Sequence, residues 1–261
     1  MDKSRLLTRA ILRLPSTNFA AGLTTVDLGT PDYAKVLQQH AAYCDALRSL
    51  GLTLNVLPAD SRYPDSTFVE DAAILTEFCA VITRPGAESR RGEVAELESE
   101  LAKCFHDVRS IRSPGVLDGG DICEAQDHFF IGLSERTNEA GATQLADILT
   151  TQGYTTSLVD VRNIKSILHL KSGLAYVGRN QLVVIDELAE CDQFRDYDLI
   201  RVTADEQYAA NCVRINDAIL IAAGYPRFTE QLQSRHLRTV ALEMSEFQKM
   251  DGGLSCLSLR F

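Results

Sequence analysis

The 261-residue sequence has no basic excess, no long apolar run and no paired-cysteine motif, and each absence removes a class of function. Lys and Arg number 26 against 36 Asp and Glu, a formal charge of −10, the wrong sign for a surface that holds phosphate backbones. Nucleic acid is therefore not an expected partner, whereas an acidic field concentrates small cations. No stretch approaches the roughly 20 apolar residues of a membrane-spanning helix. The cysteines number seven, an odd count, with no CxxC and no zinc-like Cys/His spacing, so neither a disulfide framework nor a bound metal is expected. The opening residues do not read as a secretory signal, and none is expected. The opening MDKSRLLTRAILRL has the Ser/Arg character of a presequence, but its LLTRAILRL portion reads better as a strand, and the expectation is a cytoplasmic protein with reduced thiols. No low-complexity segment or long linker divides the chain, which is expected to form a single domain over residues 1–261.

What the chain does contain is a pattern that repeats. Four stretches read as hairpins, two short apolar strands about a polar turn: 67–85, 118–134, 169–186 and 208–226. Helical signals follow them. Thr137 or Asn138 caps an Ala142/Leu145/Ala146/Leu149 stripe that Gly153 stops. Val94, Leu97, Leu101 and Cys104 mark another helix, a short one is predicted at 187–195, and another after Tyr225-Pro226. Near the N-terminus, Thr30-Pro31 is the expected start of a helix bearing Val36, Leu37, His40, Cys44 and Leu47. One further strand follows each helix. The fifth hairpin is divided between LLTRAILRL at the start and LSCLSLRF at the end, so pairing of the two termini would close a ring.

Asp71, Asp121, His169, Asn211 and Cys256 fall at equivalent points of these units, separated by 50, 48, 42 and 45 residues. All are polar, and a closed ring would bring them to its centre. Cys256 is placed by alternation on the more polar face of a terminal strand, beside Ser258 and Arg260, and its preceding Gly-Gly would admit a substrate to the backbone. A thiol of purely structural use would join the leucines instead. Cys212, beside Asn211, is the rival nucleophile. A thiol with His169 suits nucleophilic attack on an sp² carbon, and a carboxylate such as Asp118 can orient the imidazole. Asp65, Glu70 and Asp71 crowd one segment, which a bound guanidinium would relieve. Arg90 and Arg136, at loop-to-helix junctions, could clamp a carboxylate. Together they describe an amino acid with a guanidino tail.

PDSTFVED, RPGAESRRGE, LDGGDI, IGLSERTN, LHLKSGLAY, AANC, AGYPR and DGGLSCLSLRF, in this order, closely resemble dimethylarginine dimethylaminohydrolase, of the guanidino-group-modifying superfamily. The resemblance implies the pentein fold, a five-bladed α/β propeller of ββαβ repeats closed by its terminal strands. It also implies hydrolysis of Nω-methylated arginines to citrulline through a covalent thiouronium on Cys256, with His169 as acid and base and Asp118 orienting it. By the same resemblance Glu70 and Asp71 hold the guanidinium, Asp65 the α-amino group, and Arg90 and Arg136 the α-carboxylate. Leu23 and Met250 offer backbone carbonyls, and no metal or organic cofactor takes part. Alternatives of the same architecture are an arginine deiminase-type hydrolase, usually longer, and a non-catalytic propeller that binds another macromolecule. A homodimer is compatible with the sequence but not specified by it.

Overall fold

The computed structural model of the chain describes residues 6–261, so the first five residues of the presequence-like opening lie outside the described residues. Five three-stranded sheets repeat one connection: an antiparallel pair, then a third strand parallel to the second. In the first unit β1 (Arg9–Arg13) leads through α1 (Tyr33–Ser49) to the parallel β2 (Thr53–Leu57). The second holds β3 (Ala73–Leu75), β4 (Ala80–Ile82), α2 (Val94–Leu101) and β5 (Val108–Ser110). The third holds β6 (Ile122–Ala125), β7 (His128–Leu133), α3 (Glu139–Thr151) and β8 (Thr155–Asp160). The fourth holds β9 (Leu174–Gly178), β10 (Gln181–Ile185) and β11 (Asp198–Val202). The fifth holds β12 (Val213–Ile215), β13 (Ala218–Ala222), α4 (Pro226–Ser234) and β14 (Arg238–Leu242), and the short α5 (Ser245–Gln248) follows. Finally β15 (Leu259–Arg260) pairs antiparallel with β1, Ala10 opposite Arg260 and Ile11 opposite Leu259. The terminal strands therefore complete the first unit's sheet, the ring-closing pairing expected from the divided hairpin.

Local chemistry explains most boundaries. The tight turns run through left-handed residues: Gln126 at φ 62°, Arg179 and Asn180 at 53° and 60°, Asn216 at 53°. Gly51 and Gly153, just past the ends of α1 and α3, have φ of 94° and 89°, a conformation glycine adopts without strain. Asn138 caps α3, accepting the Gly141 N–H. The N-cap of α1 is Asp32 rather than Thr30: its carboxylate accepts from the Ala34 and Lys35 amides, and its own N–H is held by Glu246. The helix expected at 187–195 is instead two 3-10 turns, Asp186–Leu188 and Asp192–Phe194, separated where Cys191 is extended.

The terminal stretch is the main departure. Ser255–Leu257 forms a 3-10 turn, with the Cys256 amide bonded to the Gly253 carbonyl, and only Leu259–Arg260 is strand. Leu254 and Leu257, three apart, are both fully buried, a helical spacing that outweighs the alternation read from the sequence. The same device recurs in every unit. Val69–Ala72, Gly119–Asp121, Leu170–Ser172 and Ala204–Ala210 are also 3-10 turns at or just before an inner strand. These turns pack edge to edge around the centre. No helix among the described residues is long and apolar enough to cross a membrane.

Candidate active site

Side chains bolt neighbouring turns together. Asp71 Oδ1 accepts the Gly120 N–H of the next turn at 2.9 Å, Asp121 Oδ1 the Leu170 N–H at 3.0 Å, and Asn211 Oδ1 the Ser255 N–H at 3.0 Å. Three of the five repeat-equivalent positions thus accept an amide one unit onward. At His169 and Cys256 no such bond is formed among the described residues, and both side chains face a cavity. The packing around the ring is tight enough to dictate glycine. A Cβ at Gly120 would lie 2.8 Å from both Asp71 Oδ1 and His169 Nδ1, and one at Gly119 would lie 1.9 Å from the Glu70 carbonyl oxygen. The pair at 252 and 253 has the same cause: side chains there would strike the Phe68 ring and the Asn211 amide. Those glycines admit neighbouring protein groups, and Gly252 also lines the cavity.

Leu23, Asp65, Asp71, Arg90, Arg136, His169, Met250 and Cys256 line that cavity, while Asp118 and Glu70 stand behind it. His169 caps the Leu170–Ser172 turn, and its Nε2 lies 3.0 Å from Asp118 Oδ2. Burial alone would lower the imidazole pKa, but Asp71, Asp121 and Asp118 outweigh it and push it up to about 9. The imidazole is therefore cationic at neutral pH. The Cys256 thiol moves the other way in charge. Burial first, then the Glu70 and Asp71 carboxylates, push its pKa up to about 12, so the free site holds a thiol beside an imidazolium. The rival Cys212 is buried in an apolar cluster and lines the second cavity rather than this one.

Because the Glu70-Asp71 segment is a 3-10 turn and not a strand, the two carboxylates part without alternating. Asp71 lines the cavity; its Oδ2 takes the Arg90 guanidinium at 2.6 Å, and although burial raises its pKa, His169 and Arg90 hold the carboxyl below its usual value. Glu70 lies toward a second cavity. There its Oε1 is bonded by both Lys171 and Arg260, while its Oε2 is buried and without a hydrogen-bond partner among the described residues. The acidic crowding that suggested a substrate cation is thus relieved largely from within. Arg90 is similarly committed, bonding Glu93 through Nε and Nη2, Asp71 through Nη1 and the Phe68 carbonyl through Nη2. Of its five donors one remains. Arg136 differs: half-buried, its guanidinium makes no hydrogen bond or ion pair among the described residues, although its charge is felt by Asp65. Across the cavity Asp65 accepts the Leu23 N–H at 3.0 Å, which ties the Leu23 backbone to this carboxylate. Burial raises the Asp65 pKa.

Asp71, Asp118 and His169 bring ligand-type atoms within 4.8 Å of one another. The Arg90 and Gly120 donors already occupy Asp71, and Asp118 occupies His169 Nε2, so the set is built as a hydrogen-bonded relay more than as a metal cradle. The sequence did not single out Lys171, Arg260 or Glu93 as working parts of this site. Lys171 stands two residues after His169, and Arg260 was noted only as a neighbour of the thiol; their contacts are set by the turns, which alternation does not describe.

The family described as N,N dimethylarginine dimethylhydrolase, eukaryotic, matches residues 31–257. The chain is 44% identical over 252 residues to N(G),N(G)-dimethylarginine dimethylaminohydrolase of Pseudomonas aeruginosa, covering 96% of this chain and 98% of the relative. It is 36% identical to the protein of that name from Streptomyces coelicolor, over 97% and 96% of the two chains. A solved structure of the Pseudomonas aeruginosa protein, a cysteine-to-serine mutant complexed with citrulline, superposes with a TM-score of 0.95 at 43% identity, covering 98% and 100% of the chains.

Proposed function

The chain belongs to the dimethylarginine dimethylaminohydrolase family, and from that membership and its site we propose that it hydrolyses Nω-methylated arginines to L-citrulline, releasing dimethylamine or methylamine. The observation that carries the reading is one cavity holding Cys256, the Asp118-bound His169 and the unpaired cation of Arg136. In this reading the α-carboxylate goes to Arg136, with the last free donor of Arg90. The α-ammonium goes to Asp65, displacing or joining the Leu23 amide, and Met250 closes the wall. The substrate guanidinium meets Asp71 in the cavity, with the Glu70 carboxylate behind the wall as its second acid.

The chemistry then follows from the charges. A protonated thiol is a poor nucleophile. After burial, Glu70 and Asp71 are what hold its proton on, and a guanidinium laid against them cancels that effect, so binding itself promotes loss of the thiol proton to solvent and formation of the thiolate. Cys256 Sγ adds to the guanidinium carbon. His169, already protonated, gives its proton to the methylated nitrogen as the C–N bond breaks and the amine leaves. A planar thiouronium remains on the sulfur. The now neutral imidazole takes a proton from water as the oxygen adds to the same carbon, and collapse expels the thiolate while the hydroxyl proton leaves to solvent, yielding citrulline. The thiolate is reprotonated from solvent as the product departs. Asp118 holds the ring and stabilises its cationic form throughout.

The test is citrulline formation from asymmetric dimethylarginine, monomethylarginine and arginine, by the wild type and by Cys256→Ser. Turnover of the methylated substrates that disappears in the serine variant is expected. Comparable turnover by the variant would refute the nucleophile.

A further inference from the structure

The terminal strand does more than close the first sheet. Arg260 lies opposite Ala10 in that pairing, and its side chain turns inward to the back of the site. Nη1 donates to the Ser255 carbonyl at 2.9 Å, the Ser258 carbonyl at 2.7 Å and Ser258 Oγ at 2.9 Å. Nη2 donates to Glu70 Oε1 at 2.7 Å. Tyr43 of α1 completes the assembly, its hydroxyl 2.7 Å from Ser258 Oγ. The guanidinium is therefore bonded both to the turn that carries Cys256 and to a carboxylate on the neighbouring Val69–Ala72 turn.

We propose that Arg260 is a positioning residue of the hydrolytic site, fixing the nucleophile's turn and the Glu70 carboxylate in one relation. The inference rests on the methylarginine reading above. Its physical basis is the geometry of the fork. A guanidinium is rigid and planar, so donors on its two arms hold their acceptors at a set distance and angle, which a single ammonium cannot do. Both cations, Lys171 and Arg260, bond the same oxygen of Glu70. That choice pins the carboxylate and leaves Oε2 as its one open acceptor. Addition to the flat guanidinium carbon requires the sulfur to be held over its face, and Arg260 links the turn that carries the sulfur to the acid that attracts the cation.

Arg260→Lys keeps the charge and loses the fork; Arg260→Met keeps the bulk and loses both. Each is assayed for citrulline release from asymmetric dimethylarginine, alongside Glu70→Gln and the Arg260→Met/Glu70→Gln double variant. In the lysine variant kcat is expected to fall about tenfold with KM little changed, the mark of misaligned attack. In the methionine variant kcat/KM is expected to fall about 10- to 100-fold with KM raised as well. The double variant is expected to be scarcely worse than its poorer single, because both substitutions break one unit. Losses that multiply, or a lysine variant with unchanged kcat, overturn the proposal, and the lysine variant decides alone should the methionine variant not fold. Wild-type inactivity on methylarginines would instead refute the functional reading. In that case the rate of Cys256 alkylation by iodoacetamide, which needs no substrate, still tests Arg260: a several-fold slower reaction in Arg260→Met supports it, and an unchanged rate overturns it.

Discussion

His169 Nε2 is bound to Asp118 Oδ2 at 3.0 Å, in a pair where the carboxylate has no solvent exposure and the imidazole side chain only 10%. Asp118→Asn keeps the shape and removes the charge, leaving an imidazole that is less cationic and free to take the wrong tautomer. Citrulline release is expected to fall about 10²- to 10⁴-fold. The imidazole titration, followed by NMR, is expected to move below the value near 9 set in part by Asp118.

The raised pKa of His169 is also a statement about stability. The folded-state value of about 9 exceeds the ordinary 6.5, so the contribution is fully present below pH 6.5 and is lost as pH rises through 9. Its full size is about 3 kcal/mol by linkage. Urea denaturation of the wild type is expected to show stability falling across that window, and His169→Gln is expected to flatten the fall. Equal slopes for the two proteins would contradict the assigned charge.

Glu70→Gln should act in opposite directions on two measurements. Burial and then Glu70 are the leading causes that raise the Cys256 pKa to about 12. Neutralising Glu70 therefore increases the thiolate fraction of the free enzyme, and alkylation of Cys256 is expected to speed up several-fold. The same change removes a receptor for the substrate guanidinium, and kcat/KM is expected to drop about 10- to 100-fold. Slower alkylation would show that Glu70 does not act on the thiol as its position implies.

Gly120→Ala places a methyl group 2.8 Å from both Asp71 Oδ1 and His169 Nδ1. Neither neighbour can retreat freely, since Asp71 is held by Arg90 and His169 by Asp118. A loss of about 1–3 kcal/mol in stability is expected, with activity reduced about a hundredfold through displacement of the imidazole. Thermal unfolding and citrulline release together check it.

Much of this arrangement was legible before any coordinates. The 42- to 50-residue recurrence and the split hairpin foretold the ring, because strand pairing and helix caps are local and leave periodic traces. The thiol and the imidazole were singled out by their repeat-equivalent positions, and both line one cavity. What alternation misdescribed was the terminal turn: Cys256 occupies a 3-10 segment, as Glu70 and Asp71 do, where successive side chains diverge by about a third of a circle. That is why Asp71 reaches one cavity and Glu70 another. The internal cations were hidden for a different reason. Lys171 and Arg260 are ordinary surface residues by composition, and only tertiary approach shows each, like Arg90, to be paired with an acid.

The amide links between successive turns carry a last implication. Asp71, Asp121 and Asn211 each spend an oxygen on the following unit, whereas the two corresponding sites occupied by a base and a sulfur are released from that duty. A fivefold scaffold tolerates two missing rivets, and reactivity has been installed where they are missing. Moving the thiol to position 121 or 211 would therefore unfasten the wheel as well as relocate the chemistry.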